Sequence, residues 1–188
     1  MKKLAVFASG TGSNFEAIAR SVANGDLNDE ITLLVCDKPQ AAVIGKAKKF
    51  EINTLVIEPK NYDNKELYES VIVTACQNAN VDLIVLAGYM RLVGNKLLEA
   101  YPKQIINIHP SLLPSFKGKD AISQAIEYGV KVTGVTVHYV DAGMDTGEII
   151  SQQPLVIEKE MDVKAAIHKI EHELLVQTIK QLTKEETE

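Results

Sequence analysis

The sequence predicts an α/β protein: an open, mostly parallel sheet with helices on both faces and an antiparallel strand toward the C-terminal part. Three observations predict it. Short apolar runs alternate with stretches whose apolar residues recur at helical spacing. Several runs, such as Leu83-Ile84-Val85-Leu86, are apolar without a break, as strands covered on both faces are. A turn with two glycines, Ser9-Gly10-Thr11-Gly12, follows the first run directly and opens a helix. Strand, tight turn and helix in that order form the first unit of a Rossmann-like sheet.

In chain order, residues 4–8 read as the first buried strand. The helix after the turn runs through Phe15, Ile18, Ala19 and Val22 and stops near Asn24-Gly25. Residues 31–36 are a second strand, 41–50 a short helix and 53–57 a third strand. Residues 64–78 are a helix, with Leu67, Val71, Ile72 and Ala75 assigned to one side. Residues 82–87 are a fourth strand, and a short helix ends at Ala100. Gln104-Ile105-Ile106 begins a central strand. Residues 120–128 are helical and close at Gly129. In residues 132–140, Val135, Val137 and Tyr139 face one way, Thr136 and His138 the other. A turn-rich loop, 141–147, joins this strand to another at 148–157; with no helix between them the pair is expected to be antiparallel. Asp162 caps a long helix through Val163, Ile167, Ile170 and Leu174. The charged tail, 184–188, is expected to fray.

Composition narrows the function classes. The chain has 188 residues, 46% apolar and 24% charged, with a net charge of −5. That balance suits a globular protein acting on small molecules and argues against a nucleic-acid partner. No apolar run approaches the length of a membrane span. Cys36 and Cys76 form neither a C-x-x-C pair nor a metal spacing, so free thiols in a cytoplasmic setting are expected.

Three stretches carry candidate chemistry. The first is Asn107-Ile108-His109-Pro110-Ser111-Leu112-Leu113-Pro114. Residues two apart on a strand share a face, so Asn107 and His109 project together while Ile106 and Ile108 face away. Alone, His109 reads sooner as a packed strand-end histidine than as a catalytic group. The second is the first turn. Gly10-x-Gly12 lets the backbone approach a ligand, and the helix from Ser13 aims its free N–H groups at the same point, which suits a phosphate monoester. Phe15 stands where a dinucleotide fingerprint needs glycine. Asp37 is a candidate ribose ligand, but it lies far along and beside Lys38. The third is the 141–147 loop. It reads as a solvated hairpin unless it folds over His109, where Asp145 would favour the charged imidazole. His109, His138 and Asp145 have the residue types of a two-histidine, one-carboxylate metal site, and Ser111, His109 and Asp145 those of a nucleophilic triad; neither context supports them. His168 and Glu171 read as a solvated helix face.

Four segments occur in order: Ser9-Gly10-x-Gly12-Ser13-Asn14, Leu86-Ala87-Gly88-Tyr89-Met90-Arg91, the Asn107 to Pro114 octapeptide, and His138-Tyr139-Val140-Asp141-x-Gly143-x-Asp145-x-Gly147. Together they resemble the phosphoribosylglycinamide formyltransferases, folate-dependent enzymes of purine biosynthesis, from residue 4 to about 180. Methionyl-tRNA formyltransferase shares the octapeptide but carries a further C-terminal domain. Formyltetrahydrofolate deformylase begins with a regulatory domain. Length is expected to separate both from this chain. Phe116-Lys117-Gly118 and Glu148 depart from the family pattern, which often has proline at these loops.

The resemblance implies one formyltransferase domain over 1–188. Its phosphate-binding half covers about 1–100 and its folate and catalytic half about 101–188. It implies 10-formyltetrahydrofolate as cosubstrate, glycinamide ribonucleotide as acceptor, no metal, no membrane partner, and a monomer or homodimer. Asn107, His109 and Asp145 are the implied catalytic residues. Thr11, Gly12, Ser13 and Asn14 hold the substrate phosphate and Glu171 its ribose. Lys65, Met90, Arg91, Leu92, Val93, Asn107, Asp141, Ala142, Gly143, Met144 and Asp145 line the folate site. Leu113-Pro114 is a candidate cis bond. A deformylase and a non-catalytic folate- or nucleotide-binding module are the alternatives.

Overall fold

A computed structural model describes residues 1–185. Seven strands form one sheet in the order β3-β2-β1-β4-β5-β6-β7. They are β1 (Lys3–Ala8), β2 (Glu30–Cys36), β3 (Thr54–Val56), β4 (Leu83–Leu86), β5 (Ile105–His109), β6 (Val132–Tyr139) and β7 (Ile149–Val156). The first five pair in parallel. β6 runs antiparallel to both its neighbours. The expected antiparallel β6–β7 pair is present, and β5–β6 adds a second. The intervening helix α5 (Ala121–Tyr128) does not carry the chain back across the sheet, so β6 returns along β5.

Two apolar cores cover the two faces. One joins Leu4, Val6, Val85 and Ile106 to Phe15 and Ile18 of α1 (Ser13–Ala23), Val43 of α2 (Ala42–Lys49) and Ile167 and Leu175 of α6 (Val163–Glu185). The other joins Ala5, Phe7, Ile84 and Ile105 to Tyr68, Ile72 and Cys76 of α3 (Lys65–Asn78) and Leu97 of α4 (Asn95–Ala100). The alternation along β1, β4 and β5 is the strand pleat expressed as two cores. Phe15 is fully buried, and a side chain of that size contributes about 2–3 kcal/mol by leaving water. Phe15 therefore serves helix–sheet packing where a dinucleotide site would need glycine.

Two local assignments change. The inward stripe of α3 is Tyr68, Ile72 and Cys76, while Leu67 and Val71 are 50% and 38% exposed. Positions four apart stack on one face, so a tyrosine in register outweighs a leucine out of register. At the C-terminus, Lys184 and Glu185 continue α6 rather than fray; residues 186–188 of the predicted tail lie outside the described residues. Asp162 does cap α6, accepting the Ala165 N–H at 3.0 Å.

Candidate active site

The order of the strands reverses at β1 and β4, whose following helices lie on opposite faces. In such sheets the carboxyl ends at the reversal form a crevice. The Ser9–Asn14 turn and the Gly88–Leu92 segment meet there. The Ser9 N–H bonds the Gly88 carbonyl at 3.0 Å, and the Ser9 hydroxyl accepts the Met90 N–H at 2.9 Å.

The turn is built around Gly12, which caps α1 with φ 72°. A Cβ there would lie 2.4 Å from Cγ2 of Val43, so both conformation and space demand glycine. No side chain caps α1, leaving its first N–H groups open beside Ser13 and Asn14. Asn14 is buried; its side chain bonds Glu171 and its Oδ1 has no protein partner among the described residues. Glu171, on α6, is 6% exposed and lies 2.7 Å from Nδ1 of His168. Burial pushes the Glu171 carboxyl up against the pull of His168 and Asn14. Glu171 is thus not on the solvated face assigned by helical spacing alone; it sits inward, against the α1 terminus. Thr11 is exposed at the rim of the turn.

The second cluster is centred on Asp145. β5 extends through His109, so Asn107 and His109 lie within the strand. The β5–β6 register sets Asn107 directly opposite His138 and His109 opposite Thr136, with all four side chains on one face. Asn107 Nδ2 lies 3.3 Å from His138 Nε2, and His138 Nδ1 donates to the Tyr139 carbonyl at 2.8 Å. The 141–147 loop folds back across this face. Asp145 Oδ2 lies 3.4 Å from His109 Nδ1 and accepts the Gly118 N–H at 2.8 Å; Oδ1 lies 3.6 Å from His138 Nε2. His109 Nε2 donates to the Phe116 carbonyl at 2.8 Å. Burial alone would raise the Asp145 carboxyl, but His138, the Gly118 N–H and the charge of His109 outweigh it and hold it below the usual carboxylate range.

Close packing fixes the loop path. A Cβ on Gly147 would meet the Tyr139 carbonyl oxygen. Phe116 and Asp145 adopt left-handed φ of 53° each, which their loops must hold in place. The Leu113–Pro114 peptide bond is cis.

Lys65, Met90, Arg91 and Leu92 line a cleft of about 420 Å³, together with Tyr62, Tyr68, Glu69 and Tyr89. Val93 is instead buried in the core behind it, 7% exposed. Asp141, Ala142, Gly143 and Met144 are exposed on the 141–147 loop, where Asp141 Oδ1 accepts from the Gly143 N–H and the Thr146 hydroxyl. Asp37 faces Arg91 rather than the Ser9–Asn14 turn, with Arg91 Nε donating to its Oδ2 at 2.8 Å. Ser111 donates to the Ser115 carbonyl within its own turn, which removes the nucleophilic triad. Among the described residues no group of three His, Cys, Asp or Glu side chains is placed to hold a metal ion. His138 is the residue the local reading undervalued. Its signal was its face on an alternating strand, but only the register shows that Asn107 is its neighbour.

Comparison with known proteins bears on the family and the fold. The formyl transferase family model matches residues 2–179. The chain is 53% identical over 185 residues to the phosphoribosylglycinamide formyltransferase of Bacillus subtilis, covering 97% of this chain and 95% of the relative. The human trifunctional purine biosynthetic protein adenosine-3 is 38% identical over 175 residues; the match covers 89% of this chain and 17% of that protein. Crystal structures of phosphoribosylglycinamide formyltransferase from Bacillus halodurans and glycinamide ribonucleotide transformylase 1 from Geobacillus kaustophilus each superpose with a TM-score of 0.93 at 50% identity. They cover 96% and 97% of this chain, and this chain covers 95% and 98% of theirs.

Proposed function

The chain belongs to the formyl transferase family, and from that premise we propose that it transfers the formyl group of 10-formyltetrahydrofolate to the amine of N1-(5-phospho-D-ribosyl)glycinamide. The products are the N2-formyl compound and tetrahydrofolate, a step of de novo purine biosynthesis. The observation that carries this reading is the placing of Asn107 and His109 on one strand face, with Asp145 folded onto His109, at the same sheet edge as the uncapped α1 terminus.

The amine lone pair attacks the formyl carbon, and the carbonyl electrons move to oxygen. The tetrahedral oxyanion collapses by breaking the bond to the folate nitrogen; the amine gives up a proton and the folate nitrogen gains one. Donors aimed at the oxyanion lower the barrier most. Asn107 Nδ2 and His109 supply them, and Asp145 orients His109. Both His109 nitrogens are engaged in this structure, so turnover requires the Nε2–H to exchange the Phe116 carbonyl for the oxyanion. His138 orients the Asn107 amide through Nε2.

The substrate phosphate takes the N–H groups at Gly12 to Asn14 and the Ser13 hydroxyl, with Thr11 at the rim. Glu171 takes the ribose from the adjoining wall. The cleft beside Lys65, Met90, Arg91 and Leu92 takes the folate, with Val93 backing it from the core. Asp141, Ala142, Gly143 and Met144 close around the pterin. The two free buried thiols, Cys36 and Cys76, suit a cytoplasmic setting.

The test is incubation with 10-formyltetrahydrofolate, with and without glycinamide ribonucleotide. Tetrahydrofolate released only when the amine is present supports transfer. Release without it means hydrolysis, and binding without release means a non-catalytic module.

A further inference from the structure

We propose that Asp37 is a positioning residue for cosubstrate binding: its buried carboxylate fixes the Arg91 guanidinium at the cleft, so that Arg91 meets an anionic group of the bound folate in one orientation. The inference rests on the folate reading of that cleft.

Four contacts carry it. The Gly88–Arg91 backbone is already pinned. Gly88 and Met90 are held by Ser9, and the Tyr89 hydroxyl meets the Tyr68 hydroxyl at 2.7 Å. The Arg91 side chain, 44% exposed, extends from this pinned segment. Asp37 places it from the end of β2. The bond uses Nε at 2.8 Å, so the two terminal nitrogens of the planar fork remain for a carboxylate or similar anion.

The Asp37 side chain is 2% exposed, and its Oδ1 is buried with no partner among the described residues. A desolvated carboxylate with half its acceptor capacity unmet is a poor arrangement for folding stability; an uncharged side chain of similar size would serve the core as well or better. The arrangement is explained if the carboxylate serves Arg91. A ribose role for Asp37 does not compete, because Arg91 holds Oδ2 and the remaining oxygen, Oδ1, is buried.

Two effects oppose each other when Asp37 is removed. Arg91 gains rotamer freedom, which weakens an oriented contact, and it loses a neighbouring negative charge, which strengthens attraction to any anion. Solvent and salt screen the second at a half-exposed guanidinium, so the first prevails. Asp37→Ala is expected to raise KM for 10-formyltetrahydrofolate about 10-fold, with kcat and KM for the phosphorylated amine within about twofold. Asp37→Asn keeps an acceptor in place and is expected to restore KM to within about threefold of wild type. In an Arg91→Ala background, Asp37→Ala is expected to add less than about twofold, because both changes remove one contact. Asp37→Ser, which cannot reach Nε, replaces Asp37→Ala if the alanine variant does not fold.

An unchanged or lowered KM in Asp37→Ala overturns the proposal. So does an equal rise in the Arg91→Ala background. If wild type binds tetrahydrofolate without turnover, the same ratios are read in Kd by calorimetry. Wild type that binds no tetrahydrofolate overturns the folate reading and this inference together; wild type that binds it, with Asp37→Ala unchanged, overturns the role of Asp37 alone.

Discussion

Asp145→Asn is predicted to lower kcat by roughly 10²-fold with little change in the fold. Asparagine keeps the volume and leaves an acceptor for the Gly118 N–H, which Asp145 now holds at 2.8 Å. What it removes is the charge 3.4 Å from His109 and 3.6 Å from His138. At an effective dielectric of about 20, unit charges near that separation interact by about 4–5 kcal/mol. The carboxylate is 11% exposed, and the asparagine oxygen retains a dipole, so roughly half of that interaction is lost. At about 1.4 kcal/mol per tenfold, the loss is about 30- to 60-fold in rate, on the order of 10². Initial rates at saturating concentrations of both substrates measure it. A second readout comes from the depressed carboxyl of Asp145. Its ionised form contributes stability above the ordinary carboxylate value of about 4, and that contribution disappears as pH falls through the lower native value. The melting temperatures of wild type and variant should therefore converge in acid. A kcat within about threefold of wild type, or a melting difference that does not change with pH, would refute the reasoning.

The other predictions test the phosphate wall. Gly12→Ala should cost about 2 kcal/mol or more, from a left-handed φ and a clash with Val43, seen as a lower melting temperature together with a raised KM for the phosphorylated substrate. Ser13→Asp places negative charge at the open end of α1 and should raise the same KM; an unchanged KM would put the phosphate elsewhere. Glu171→Gln should raise that KM while stabilising the protein near neutral pH. The native Glu171 carboxyl is pushed up by burial, so its contribution is full below the unfolded value and lost as pH rises through the native one. Thermal melts at pH 5 and pH 8 should show the glutamine variant gaining on wild type at the higher pH.

Much of the architecture was legible because it follows from local geometry. A strand alternates and a helix repeats whatever surrounds them, so Ile106 and Ile108 opposite Asn107 and His109 could be read from spacing. So could the need for glycine at a turn that opens a helix. Within helices the same logic had a limit. Leu67 and Val71 were apolar enough to be placed inward, yet the neighbouring register with Tyr68, Ile72 and Cys76 faces the core. Composition does not say which of two adjacent stripes a sheet will cover.

The partners in the candidate site are a different matter. Spacing said that Asn107 and His109 point together, and it showed His138 and Asp145 on later segments. The β5–β6 register makes Asn107 and His138 neighbours across 31 positions, and the path of the 141–147 loop brings Asp145 to both imidazoles. Asp37 and Arg91, 54 positions apart, meet because β2 and β4 both flank β1. Glu171 turned inward because α6 packs its face on α1. By itself the sequence determined the elements, the alternation of side chains along each strand and the family resemblance, since backbone periodicity and motif order are properties of the chain alone. The tertiary structure decided which of those side chains touch, because register, helix docking and loop path are set by packing of the whole core and not by any one segment.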